Sequence, residues 1–355
     1  MTANSSIPTA VRTEQSHLDV IERLQGLIDA ALAPSLPILK AQPYALLDMP
    51  DYSNVGDSAI WAGALAWLRR NAGKDPSYVA ENNASIEEVN AYFKGGAILL
   101  QGGGNFGDIW PQFQEFRERI ISTYPMKHVV QMPQSIHFSD DRALAKTAAV
   151  LRDATHLRLL VRDFESYDLA STHFGCEVTL CPDMAFALGP LKRSKAPDLD
   201  VLLLLRTDKE SMRETTMIRD LPAGWEQTDW IDEDPDTRKK ARFDMRVSAV
   251  LSLNMQRLSK LSRRKHYYQR VTDTRMKRGT ELLSRAKFII TDRLHVHIIS
   301  TLMGIPHCFL DNNYGKIFRF STAFDTRWTG SHHASSLPDA IACARQWLTE
   351  KGPVS

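Results

Sequence analysis

Short apolar runs alternate with longer segments whose apolar residues recur at helical spacing, and no feature of the sequence constrains its fold more. The runs at 44–49, 78–80, 97–101, 128–134, 157–162 and 177–180 predict strands; 58–70, 85–93, 111–124, 140–152 and 164–174 predict the helices between them. Within 58–70, Ile60, Trp61, Ala64, Leu65 and Leu68 fall on one helical face, and Ser85-x-x-Glu88 is a capping signature that opens a helix. Strands and helices alternating at this length predict parallel α/β packing.

The pattern restarts after a Pro-, Lys- and Asp-rich stretch at 189–200. Strands are expected at 201–206, 287–291 and 307–310, and helices at 294–303 and 337–350. A chain of 355 residues usually exceeds one core, so two α/β domains are expected, at 41–188 and 198–334. A helical extension at 1–40 precedes them, a basic helical insertion interrupts the second, and a helix at 335–355 closes the chain. No run approaches the ~18 apolar residues of a membrane span, and no basic segment followed by an apolar one marks a secretory signal. The four cysteines form no CxxC pair and no cluster with histidine. Reduced thiols, no metal and a cytoplasmic location are the expectation.

Charge is balanced overall, 44 Lys and Arg against 42 Asp and Glu, but not locally. Residues 238–287 hold sixteen cations and only three acids: Asp244, Asp273 and Glu281. Such a stretch fits either an anionic partner or a solvated helix face balanced by acids elsewhere. With Leu251, Leu258 and Leu261 on one face and Arg257, Lys260 and Arg264 on another, it could contact the inner face of a membrane. No nucleic-acid-binding signature accompanies the charge, and no nucleic-acid partner is expected.

Four motifs fall where strands run into loops, the place at which open α/β sheets bind ligands. Asn54-Val-Gly-Asp57 combines a cap, a close-approach glycine and an acid at a helix start. Gly102-Gly-Gly-Asn-Phe-Gly107-Asp108 matches G-x-G-x-x-G, yet it follows the third strand, and no acid ends the next one. What it offers is backbone N–H groups at Gly103, Gly104 and Asn105, suited to an anion or a sugar hydroxyl. Gln134 and Ser135 end the next strand as neutral hydrogen-bonding groups. In Thr291-Asp-Arg-Leu-His295-Val-His297, Arg293 can grip a carboxylate or phosphate in two places and His295 can exchange protons near neutral pH. Asp292 is expected to cap the helix or orient the histidine. His297 is expected on another side of the helix, packed.

Taken in order, Asn54-x-Gly-Asp57, Gly102–Asp108, Pro133-Gln-Ser135, Arg162-Asp163, Pro182-Asp183, Asp292-Arg-Leu-His295 and Asn313-Tyr-Gly-Lys316 resemble the motifs of the polysaccharide pyruvyl transferase family. That resemblance covers about residues 44–325. It implies two Rossmann-like domains facing across a cleft, as in GT-B glycosyltransferases. It also implies phosphoenolpyruvate as co-substrate, with no cofactor, and a sugar of an exopolysaccharide repeat, lipid-linked, as acceptor. On that basis His295 is the acid/base and Arg293 the donor clamp. Arg162, Arg206, Lys316 and the Gly103–Asn105 loop supply further donor contacts, and Asn54, Asp57, Gln134, Ser135 and Asp183 serve the acceptor or the loops. Two rivals stand beside this reading: a GT-B glycosyltransferase using a nucleotide sugar, and a non-catalytic polyanion-binding module.

Overall fold

In the computed structural model, which describes residues 15–206, 218, 220–230, 233, 236–243, 260–311 and 315–351, the alternating elements form two parallel sheets. The first contains β1 (Tyr44–Leu47), β2 (Tyr78–Ala80), β3 (Ala97–Leu100), β4 (Gly103–Gly107), β5 (His128–His137), β6 (Leu157–Val161) and β7 (Glu177–Leu180). Its order is β2-β1-β3-β5-β6-β7, with β4 pairing β5 beyond the end of β3. The second contains β8 (Leu199–Leu204), β9 (Trp225–Thr228), β10 (Ala286–Thr291), β11 (His307–Phe309) and β12 (Ser331–His333), ordered β12-β11-β10-β8-β9.

Both orders follow one rule: the first strand of the unit lies between the second and the third. The connections leaving β1 and β3 therefore diverge, and a crevice opens at their carboxyl ends; β8 and β10 repeat the arrangement. The Asn54 and Gly102 motifs flank the first crevice, and Arg206 and the Asp292–His295 motif flank the second.

Between the sheets lies one apolar cluster drawing on both, through Leu46 and Leu99 of the first and Leu202 and Ile289 of the second. α1 (His17–Leu32) enters this cluster with Val20, Leu24 and Ile28, and the short α2 (Leu36–Ala41) follows with Leu39, so the N-terminal helices are part of the shared core. α3 (Val55–Ala72) runs through its centre. The expected single apolar face gives way to burial on nearly every side, including Trp61 and Trp67, because protein packs around the helix. Gly63 permits this approach: a Cβ there would lie 2.7 Å from the Met184 carbonyl carbon. The outer face of the first sheet is covered by α4 (Ile86–Tyr92), α5 (Pro111–Thr123), α6 (Asp141–Arg152) and α7 (Phe164–His173), and that of the second by the helix Leu337–Lys351. β4, β9, β12 and the helix Lys316–Phe324 were not expected from periodicity.

The basic stretch contributes the helix Lys260–Ser284, which lies along α3 and β2. Several of its cations are matched from within the protein. Arg275 is fully buried, 2.7 Å from Glu233 and 3.1 Å from Asp51. Arg264 pairs with Glu88, Lys265 donates to the Pro76 carbonyl, and Leu261 packs against the outer core of the first sheet. Arg285 reaches Glu226 at 2.7 Å, and Lys287 reaches Asp200 at 2.9 Å. Leu261 and Arg264 are thus turned to protein, which corrects their expected place on a membrane-facing surface, and Lys265 is turned the same way. The physical reason is that acids distributed over the rest of the chain fold against this helix. Arg263 is exposed. Leu251, Arg257 and Leu258, and the side chain of Lys260, lie outside the described residues. Among those residues no helix is long and apolar enough to cross a membrane.

Candidate active site

At the second crevice the ends of β8 and β10 are tied by side chains. Thr291 Oγ1 donates to the Leu204 carbonyl at 2.7 Å, and Asp292 Oδ1 accepts the Arg206 backbone N–H at 2.8 Å. The expectation that Asp292 caps the helix or orients His295 is corrected: its carboxylate is turned back to the neighbouring strand end, and Arg293 holds the N-cap position. Burial pushes the Asp292 carboxyl up to about 6, although the Arg206 backbone N–H and the Arg293 and Arg206 charges act the other way.

The helix Leu294–Leu302 then sets His295 in its first turn. His295 Nε2 stands 3.4 Å from Asp183 Oδ2. Its ring lies against the first turn of α3, where a Cβ on Gly56 would be 2.6 Å from the ring Cγ. His297 points inward as expected, its Nδ1 2.8 Å from His307 Nε2 and its Nε2 2.8 Å from Thr326 Oγ1.

Asn54 opens α3 by accepting the Gly56 N–H at 2.9 Å, and its amide nitrogen donates to Asp57 at 2.7 Å. Burial raises the Asp57 carboxyl despite the opposing charges of His295 and Arg162. At the end of β6, Arg162 is aimed by two partners: its Nε donates to Ser135 Oγ at 2.9 Å, and its Nη1 pairs with Asp183. A Cβ on Gly104 would lie 3.0 Å from Arg162 Nη2 and 3.7 Å from Lys316 Nζ, so both cations converge on this glycine. Burial alone would raise the Asp183 carboxyl, but His295 and Arg162 hold it well below the carboxylate range. Arg293 donates to Asp229 at 2.6 Å. Asn105 Oδ1 accepts from Gln134 and from the buried Arg117, each at 2.9 Å, which leaves its NH2 group as the remaining donor.

These groups border one pocket of about 530 Å³. Of the residues expected at the site, His295, Arg293, Arg162, Arg206, Lys316, Gly104, Asn105, Asn54 and Asp57 line it. Gly103, Gln134, Ser135 and Asp183 are absent from its wall; the last three stand behind it, fixing Asn105 and Arg162. Asn313 and Tyr314 lie outside the described residues. Sequence reasoning missed Asp229 and four aromatic liners, Tyr52, Trp110, Phe113 and Trp230. Tyr52 and Trp110 each stand two residues from a recognised motif, a proximity that could have flagged them; Asp229 and Trp230 follow the unexpected β9 and carried no local signal. Among the described residues no group of three or more His, Cys, Asp or Glu could hold a metal ion. The arrangement gathers four cations at one pocket and sets the His295 imidazole in the same wall.

A family model described as polysaccharide pyruvyl transferase matches residues 54–314. EpsO of Bacillus subtilis (strain 168), which carries a provisional pyruvyl transferase name, is 29% identical over 313 residues, covering 86% of this chain and 90% of that one. Pyruvyl transferase 1 of Schizosaccharomyces pombe is 31% identical over 300 residues, covering 78% of this chain and 68% of the other. An uncharacterised Klebsiella pneumoniae protein of known crystal structure shares the fold at a TM-score of 0.55 and 18% identity, over 87% of this chain and 99% of that one.

Proposed function

The chain belongs to the polysaccharide pyruvyl transferase family, and from that premise we propose that it moves the pyruvate unit of phosphoenolpyruvate onto a saccharide as a ketal. The observation that carries this reading is the convergence of Arg162, Arg206, Arg293 and Lys316 with His295 in one pocket. Phosphoenolpyruvate presents a carboxylate and a phosphate. Charge-assisted hydrogen bonds contribute about 1.5–3 kcal/mol each, so two or three hold so small an anion.

In the proposed reaction, His295 delivers a proton to the methylene carbon, which becomes a methyl group. One sugar hydroxyl attacks the adjacent carbon as positive charge develops there. A second hydroxyl of the same sugar then bonds to that carbon while the C–O bond to phosphate breaks. One hydroxyl proton restores His295 and the other leaves with inorganic phosphate. Fixed cations favour the departing phosphate, and the ionised Asp183 faces the imidazole as it changes charge. In this reading the two sheet units, taken as 41–188 and 198–334, act as GT-B-like halves. The acceptor is a lipid-linked repeat unit, presented to a cytoplasmic enzyme at the inner face of the membrane.

The test is release of inorganic phosphate from phosphoenolpyruvate with lipid-linked oligosaccharide as acceptor, with the acid-labile ketal followed in the product. Acceptor-dependent release is expected. Release of a nucleotide from a nucleotide sugar, with phosphoenolpyruvate inert, overturns the reading in favour of a glycosyltransferase.

A further inference from the structure

Besides its cations and His295, the pocket is lined by four aromatic side chains for which a small dianion has no use. The cavity volume, about 530 Å³, falls in the range that takes ligands well beyond a three-carbon donor. Trp230 is 3% exposed, and its Nε1 is buried with no hydrogen-bond partner among the described residues. An N–H left unmade in the interior costs free energy that an oxygen on a ligand would recover. The ring is firmly placed: the Trp230 backbone N–H donates to Asp229 Oδ1 at 2.7 Å, and its carbonyl accepts from Arg278 at 3.0 Å. Asp229 holds Arg293 with its other oxygen, so one carboxylate sets the indole relative to the donor clamp. Arg278 also donates to the Ser53 carbonyl, next to Tyr52. The Tyr52 and Phe113 rings meet edge-on at 6.1 Å, and Trp110, at the start of α5, is 39% exposed.

Resting on the transferase reading above, we propose that Tyr52, Trp110, Phe113 and Trp230 form the acceptor subsite. They take a pyranose ring by its C–H face, and Trp230 Nε1 donates to a sugar oxygen. Aromatic side chains with a polar edge suit a ligand that is apolar on one face and hydroxylated at its rim. A hydrocarbon chain offers Trp230 no acceptor. A nucleobase could stack, and the test includes one.

The experiment is a ligand-observed NMR titration of the whole chain with methyl β-D-glucopyranoside, methyl β-D-galactopyranoside and maltose. Uridine serves as the nucleobase probe, and phosphoenolpyruvate is titrated in parallel. At least one sugar is expected to bind together with phosphoenolpyruvate. Trp230→Phe should weaken that sugar about fivefold, the loss of one hydrogen bond, and Trp110→Ala should weaken it at least threefold. Phosphoenolpyruvate affinity should stay within twofold in both. Trp110 is exposed, so its variant decides the matter if Trp230→Phe fails to fold. Absence of sugar binding, binding of uridine alone, displacement of the sugar by phosphoenolpyruvate, or unweakened sugar binding in the variants overturns the proposal. Sugar binding that depends on these rings without phosphoenolpyruvate binding would instead overturn the choice of donor and leave the subsite standing.

Discussion

Gly56→Ala puts the closest contact of the site under strain with one methyl group. The new Cβ would lie 2.6 Å from His295 Cγ and 2.8 Å from His295 Cβ, and closer still to Nδ1. Ordinary contact begins near 3.4 Å, so the imidazole must withdraw by about 1 Å, a misplacement that costs roughly 10²-fold in rate. Stability responds differently. Alanine is favoured over glycine inside a helix by about 1 kcal/mol, whereas overpacking costs about 1–3 kcal/mol. The net loss is then at most about 2 kcal/mol, or a fall in Tm of no more than about 6 °C. Gly26→Ala is the control, because an added Cβ there meets nothing within 4 Å on the exposed face of α1. It should raise stability by about 0.5–1 kcal/mol and leave turnover unchanged. The assays are phosphate release from phosphoenolpyruvate and thermal unfolding of both variants. A folded Gly56→Ala protein with turnover within threefold of wild type refutes the reasoning, since it would mean the imidazole position does not matter.

His295→Gln should lower turnover by about 10²–10⁴-fold with unfolding unchanged, and activity within a few-fold of wild type would remove it from the mechanism. Arg293→Lys keeps the charge but loses the planar fork that grips Asp229 and a ligand together; KM for phosphoenolpyruvate should rise about tenfold, and unchanged kinetics would make Arg293 structural. Burial lowers the basicity of both His297 and His307, the latter to about 4, so the folded protein binds fewer protons than the unfolded chain once pH drops below about 6.5. The stability these neutral rings allow above that pH is lost as pH falls toward 4; the urea midpoint should fall across this window, and His307→Gln should flatten the fall. Arg275→Met leaves Asp51 and Glu233, only 12% and 11% exposed, without their buried cation and should cost about 3 kcal/mol or more in denaturant unfolding; a loss below 1 kcal/mol contradicts the role assigned to it.

Periodicity in the sequence determined the element types from 44 to 180 apart from β4, and it placed the Asn54 and Asp292–His295 motifs at strand ends, because side-chain spacing reports directly on which face is buried. The Gly102 motif instead forms β4, and Gln134 and Ser135 lie within β5 rather than at its end. It also separated His295 from His297, since residues two apart in a helix cannot face the same way. The tertiary structure alone decided the order of the strands, and therefore that the Asn54 and Gly102 loops share one crevice while Arg206 and Arg293 share another. It decided that Gln134, Ser135 and Asp183 aim other side chains from behind the pocket wall, and that Asp229 and Trp230 belong to the site at all. It decided, too, that Arg264, Arg275 and Arg285 of the basic stretch are matched by Glu88, Asp51, Glu233 and Glu226. The physical reason is common to these cases. Local spacing records the burial of a face, whereas the partner of a charge is set by which distant segment packs against it, as with Arg275 and Asp51, 224 residues apart.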